Sequence, residues 1–266
     1  MDAKKIGFMV LACAIMITVL SVITMPAGAS SPVDDYEEPI SYFDRSSEII
    51  GADAATYMNR GYAHSQKGDF DSAITDFTRA IAMDPDNAAA YNSRAYAYAS
   101  RGKTDMAIAD FTKALEIDPE NTSAYNSRAF AYASKGDFVP AIADFTRAIE
   151  ITPDDINYNN RGNAYAGTDD LDRAVEDFDN AIKINPRNIS AYNNRGNVYV
   201  LKGDLDKAVS DFNKAVEIDT YNATAYANRA MAYFLKGDYV RSREDVRKAQ
   251  FLGHKFSPEF LKRFDK

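Results

Sequence analysis

The feature that most constrains this chain is that it repeats itself. Residues 91–100 read YNSRAYAYAS and residues 125–134 read YNSRAFAYAS, at an offset of 34. The same period runs through the molecule. Tyrosines at 57, 91, 125, 158, 192 and 226 open each repeat, and phenylalanines at 77, 111, 145, 178 and 212 sit in the second halves, with Val246 in that place in the sixth. Alanines 80, 114, 148, 181, 215 and 249 follow three residues later. Glycines fall at 68, 102, 136, 203 and 237 and prolines at 85, 119, 153 and 186; the spacing is 34 except between the third and fourth repeats, where it is 33. Self-similarity of this length marks a stacked array, in which one repeat cannot bury its own apolar face and acquires a core by leaning on the next.

Each repeat has the periodicity of two amphipathic helices. Tyr91, Ala95, Tyr98 and Ala99 fall on one helical stripe, as do Ala107, Ile108, Phe111, Ala114 and Leu115 after Gly102. Glycine is expected to end the first helix in the left-handed conformation, and Asp-Pro-x-Asn to end the second. Small residues at 61, 95, 129, 162, 196 and 230, and at 73, 107, 141, 174, 208 and 242, remove bulk where the two helices approach. Pro140 fits a first turn, where no amide donor is needed.

The pattern strongly resembles the tetratricopeptide repeat (TPR) family. In the second repeat the signature residues are Tyr91, Ala95, Tyr98, Ala107, Phe111, Ala114 and Pro119. The resemblance covers residues 54–252, as repeats 54–87, 88–121, 122–155, 156–188, 189–222 and 223–252. Departures are local: His64 replaces an aromatic, Thr220 and His254 replace the proline, and Asp169 stands where the turn glycine belongs. The resemblance implies an all-α fold, a right-handed α-solenoid of six antiparallel helix pairs with N- and C-terminal capping helices. Ser257-Pro258-Glu259 starts a capping helix within 253–266, with Phe260, Leu261 and Phe264 to cover the last pair. Residues 42–46 echo 76–80, so 40–50 read as a degenerate capping half-repeat within 30–53, preceded by the acidic spacer SSPVDDYEEP. The lost residue and lost glycine predict a bend near 153–170.

One departure recurs in every repeat. Arg60, Arg94, Arg128, Arg161, Arg195 and Arg229 stand just before the small residue, where the family is often apolar. Asp76, Asp110, Asp144, Asp177, Asp211 and Asp245 stand just before the phenylalanine position. Arg94 is eight residues before Gly102 and Asp110 eight after it, so an antiparallel hairpin brings them to one height. The expectation is a ladder of six structural ion pairs, within or between repeats. The competing reading presents the arginines to an acidic ligand.

In TPR proteins the first helices line a concave surface that commonly holds an extended peptide. Carried over by position, the lining here is Asn59, Tyr62, Asn92, Tyr96, Asn126, Phe130, Asn159, Asn160, Asn163, Asn193, Asn194, Asn197 and Asn228. An asparagine amide offers an acceptor and two donors, and so pairs with a peptide backbone with little regard for its side chains. The bland reading is that these amides are solvated or bridge neighbouring repeats. No lysine or arginine occupies the positions with which some TPR cochaperones clamp a terminal carboxylate.

The N-terminus is an address. Ile6 to Met25 carries no charge, Lys4 and Lys5 precede it, and Ala27 and Ala29 follow in an A-x-A pattern. That layout, over 1–29, reads as a signal peptide or as a retained membrane anchor, and either places the array outside the cytoplasm by the positive-inside rule. Asn121, Asn188 and Asn222 head N-x-S/T triplets compatible with glycosylation there. The net charge of −8 argues against nucleic acid as a partner. The one cysteine, Cys13, leaves the array without disulfides, and no catalytic set, metal site or cofactor motif emerges. Two readings follow: an exported or tethered scaffold binding a protein or peptide segment in its groove, or a self-assembling structural component of the envelope.

Overall fold

A computed structural model describes residues 40–41 and 53–262. The described array is all helical: six antiparallel pairs and one short terminal helix, the architecture of a TPR α-solenoid. The pairs are α1 (Ala54–Lys67) with α2 (Phe70–Met83), α3 (Ala88–Ser100) with α4 (Thr104–Ile117), and α5 (Thr122–Ser134) with α6 (Phe138–Ile151). They continue as α7 (Asp155–Gly167) with α8 (Leu171–Ile184), α9 (Ile189–Lys202) with α10 (Leu205–Ile218), and α11 (Ala223–Leu235) with α12 (Tyr239–Phe251); α13 (Pro258–Leu261) ends the array. The helices group into two compact modules of three repeats, 53–152 and 153–262. The division falls at Thr152 and Pro153, at the edge of the segment where the sequence predicts a bend.

The second helix of each pair carries the core. Phe77, Phe111, Phe145, Phe178 and Phe212 are at most 1% exposed, and Val246, in their place in the sixth repeat, is also buried. Full burial of one such ring contributes about 1.5–3 kcal/mol. The small residue of the first helix is what admits it. A Cβ added at Gly196 would lie 2.6 Å from the Phe212 ring, so the helices of that pair meet at a distance that only glycine tolerates without movement of the ring. Successive repeats share these clusters: Ala90 and Ala97 of the second repeat pack with Met58 and Phe77 of the first.

The turn between helices is left-handed in every repeat. Glycines 68, 102, 136, 203 and 237 have φ between 71° and 84°, and Asp169 holds the same turn at φ 63°. Asp169 is the one non-glycine residue with positive φ among the described residues. A side chain there costs stability that glycine avoids.

Asp-Pro-x-Asn ends the second helix as the sequence reading has it, with Asp84 and Asp118 at the C-caps of α2 and α4, and the same junction also starts the helix that follows. The asparagine that closes the junction, in Asp-Pro-x-Asn at 84–87 and 118–121, Asn-Pro-x-Asn at 185–188 and Asp-Thr-x-Asn at 219–222, caps the helix that follows. Oδ1 of Asn87, Asn121, Asn188 and Asn222 accepts the amide of the third residue on, at 2.9–3.0 Å. Asp154 does the same for Asn157 at 2.7 Å. The fourth first-helix therefore begins at Asp155, inside the stretch assigned by sequence to the third repeat. The Nδ2 of Asn188 is also engaged, donating to Asp155 at 2.8 Å. A glycan on that nitrogen would compete with the junction.

Ion pairs tie neighbours within each module at the other end of the helices. Arg101 meets Asp71 at 3.0 Å and Lys135 meets Asp105 at 2.6 Å; Lys202 pairs with Asp172 and Lys236 with Asp206. The acid's position is Val139 in the third repeat and Val240 in the sixth, both well exposed. Each module thus closes on valine where the preceding two repeats offer a carboxylate.

The C-terminal cap is a single turn. Ser257 caps α13, and Phe260 packs on Phe234 and Phe256 at ring distances of 5.5 and 5.4 Å. Phe264, residues 1–39, and all of the N-terminal half-repeat except Ile40 and Ser41 lie outside the described residues. Among the described residues no helix is long and apolar enough to cross a membrane.

Candidate functional site

The recurrent arginine is committed inside its own repeat. Arg60 donates through Nε and Nη2 to Asp76 at 2.8 and 2.7 Å, and Arg94 to Asp110 at 2.7 and 2.9 Å. The same two-pronged bond joins Arg128 to Asp144, Arg161 to Asp177, Arg195 to Asp211 and Arg229 to Asp245, all between 2.6 and 2.8 Å. All six aspartates are buried. This planar fork is the geometry in which arginine binds carboxylate most strongly. Burial pushes the Asp177 and Asp211 carboxyls upward against the pull of their arginines. Hydrogen bonding to Asp110 holds the Arg94 guanidinium charged, with its pKa raised.

The third nitrogen reaches back one repeat. Nη1 of Arg94 donates to Thr78 at 3.1 Å, that of Arg128 to Thr112 at 3.0 Å and that of Arg229 to Asn213 at 2.8 Å, and Arg195 reaches Asp179. Each guanidinium also lies over the ring of the tyrosine that opens its repeat, 5.3–5.8 Å from the centroid. One side chain therefore closes the hairpin, fixes the opening tyrosine and ties neighbouring repeats.

The first-helix face divides by module. In the first, Tyr62 and Tyr96 are 43% and 41% exposed. Each packs edge-on against the buried phenylalanine of its own repeat, Phe77 at 5.4 Å and Phe111 at 5.3 Å. Their hydroxyls bond forward: Ser93 donates to Tyr62 at 3.0 Å, and Tyr96 meets Ser123 at 3.1 Å and Ser127. Phe130 repeats the edge-on contact with Phe145 at 5.3 Å, and is half-buried. Asn59 is exposed, and Asn92 and Asn126 are half-buried.

In the second module the amides separate into two sets. Asn159, Asn193, Asn194 and Asn197 are buried, at 6–9% exposure, and Asn194 donates to Asn159 at 3.0 Å across the seam between two repeats. These four belong to the packing between helices in this structure. Asn160, Asn163 and Asn228 are half-buried and reach the surface. The Oδ1 atoms of Asn92 and Asn193, at matching positions of the second and fifth repeats, are shielded and have no hydrogen-bond partner among the described residues.

The histidines serve local structure. His64 stands 3.4 Å from Asp69 and 3.9 Å from the clamp carboxylate Asp76. His254 packs on Phe256 at 4.6 Å, and burial lowers its pKa below the ordinary imidazole value. No group of acidic, histidine or cysteine side chains among the described residues is arranged to hold a metal ion.

Comparison with known proteins places this geometry. Tetratricopeptide repeat models match residues 58–122 and 101–156, and TPR repeat models match 162–203 and 196–237. Among curated proteins none matches the chain. Among solved structures, the MamA protein is 30% identical with a TM-score of 0.59, the match covering 64% of this chain and 93% of MamA. YrrB, a TPR protein with an unusual peptide-binding site, is 25% identical with a TM-score of 0.54, over 66% of this chain and 92% of its own. A TPR protein from Parabacteroides merdae shares the fold over 87% of this chain and 91% of its own, at 21% identity and a TM-score of 0.66.

Proposed function

Because the chain belongs to the tetratricopeptide repeat family, whose fold supports protein–protein interaction, we propose that it is a scaffold that holds an extended peptide segment of a partner on its first-helix face, outside the cytoplasm. The observation that carries this reading is the composition of the exposed part of that face. Tyr62 and Tyr96 are large aromatic side chains that stay more than 40% exposed. Asn59 adds an exposed amide in the same module, and the second module's own first-helix face carries the half-buried amides of Asn160, Asn163 and Asn228. Amphipathic aromatic rings and adaptable amides are the side chains that supply contact area and hydrogen bonds at binding faces. A peptide site in YrrB supports the same use of a related array.

The location rests on the first 29 residues, whose charge-free run, flanking lysines and A-x-A pattern are those of export or anchoring. A photo-crosslinking residue placed at Tyr96 and, separately, at Lys113 on the exposed side of α4 tests the binding face. Tyr96 is expected to give a discrete adduct with a polypeptide and Lys113 none. Adducts from Lys113 alone would refute the site. Protease added to intact cells should digest the array if it lies outside the cytoplasm.

A further inference from the structure

We propose that the segment this face accepts is uncharged, a polar stretch of serine, threonine, asparagine, glutamine and glycine that carries aromatic or aliphatic side chains but no lysine, arginine, aspartate or glutamate. The inference rests on the reading of the first-helix face as a peptide site, and goes beyond it by naming the chemistry selected.

The argument starts from where the charge of this chain lies. Charged residues make up 26% of it, yet between their first and last turns the first helices carry one each, the clamp arginine, with His64 as the only other titratable cation. Every one of those arginines is already joined to a buried aspartate by two bonds. The exposed charge sits on the second helices instead, on residues such as Arg79, Lys113, Glu116, Arg147 and Glu150. A charged side chain set down on the first-helix face would give up hydration and find no uncommitted countercharge between the first and last turns of the described first helices. Serine, asparagine or backbone groups set down there meet amides, hydroxyls and ring edges that satisfy them.

The net charge makes this a sharp distinction. A chain at −8 attracts basic segments at a distance. That field is screened beyond roughly 8–10 Å at physiological salt, whereas the contact itself is made within the face. Long-range attraction therefore favours a basic ligand and the contact surface favours a neutral one. The contact decides affinity, since steering acts mainly on the rate of encounter.

A random dodecapeptide library selected on the full chain tests this. The same selection is run on the Asn59→Lys/Asn92→Lys variant, whose substitutions lie in the same module as Tyr62 and Tyr96, with circular dichroism confirming that both are folded. Binders that compete with one another, and are lost when Tyr62→Ser and Tyr96→Ser are introduced, define the face. These binders should be depleted in all four charged residues relative to the input, and their affinity should change less than about twofold between 50 and 300 mM salt. The double-lysine variant should gain acidic binders that the parent rejects. Face-dependent binders enriched in lysine and arginine, or weakened tenfold by salt, would overturn the inference and leave the peptide site standing. Binders indifferent to every face substitution would overturn both.

Discussion

Removing Arg94 separates a buried clamp from a surface ion pair. Its two bonds to Asp110, at 2.7 and 2.9 Å, close the hairpin of the second repeat, and its third nitrogen holds Thr78 of the first. The Asp110 side chain is 11% exposed and that of Arg94 16%. Arg94→Met leaves a carboxylate with almost no access to water, and the expected cost is about 3–5 kcal/mol. Asp110→Leu leaves an arginine that keeps its bond to Thr78 and has a flexible stem on which to reach solvent, so a smaller loss, about 2–3 kcal/mol, is expected. The double variant replaces both charges by apolar side chains and should recover most of the loss. What remains missing is the Thr78 bond, worth about 0.5–1.5 kcal/mol. The four proteins form a double-mutant cycle read by urea unfolding at 222 nm, with hydrogen exchange reporting whether protection falls first in α3 and α4. Losses below about 1 kcal/mol in both single variants would place the pair with ordinary surface bridges and refute the reasoning. A double variant that loses the sum of the single losses would refute it too, by showing no coupling.

Two further outcomes follow from local chemistry. Asp169→Gly relieves a side chain from a left-handed turn at φ 63°, and should stabilise the second module by about 0.5–1 kcal/mol in the same urea assay; destabilisation would show that the aspartate earns its place. At the C-terminal cap, burial lowers the His254 pKa from 6.5, so the unfolded cap binds a proton that the folded cap resists. The cap's stability is then intact above pH 6.5 and declines as pH falls through 6.5 toward the folded value. Amide exchange over 252–262, corrected for intrinsic rates, should quicken at pH 5.5 relative to pH 7.5, and His254→Phe should abolish the difference; equal protection at both pH values would sink the assignment.

What was legible in the sequence was whatever a repeat states more than once. The arginine and aspartate recur 16 residues apart in all six copies, and a hairpin that turns midway has one way to use them. The structure adds what the spacing alone left open, that both main bonds stay within the repeat while the third nitrogen crosses to the neighbour. The exposure of the asparagines was less legible, because one residue is about 100° of helix. Asn159 and Asn160 are adjacent in sequence, yet one is buried at a seam and the other reaches the surface. The second role of the junction was less legible for a related reason: Asp-Pro-x-Asn stops one helix and starts the next within four residues, and the asparagine side chain serves the helix that follows.

These observations join at the residue with which the repeat is marked. Asn59, Asn160, Asn194 and Asn228 each immediately precede a clamp arginine, so every such amide has a full positive charge as its chain neighbour. Left free, the three guanidinium groups on the first-helix side of each module would make an anion-binding stripe. The aspartate supplied by the second helix takes each of them into the hairpin seam, and the opening tyrosine covers it. The pair that holds the repeat together is therefore also what leaves its first-helix face without charge. Stability and selectivity have one cause here: a substitution such as Asp110→Asn, which spares the shape of the side chain and removes the countercharge of Arg94, should weaken the hairpin and admit acidic segments together.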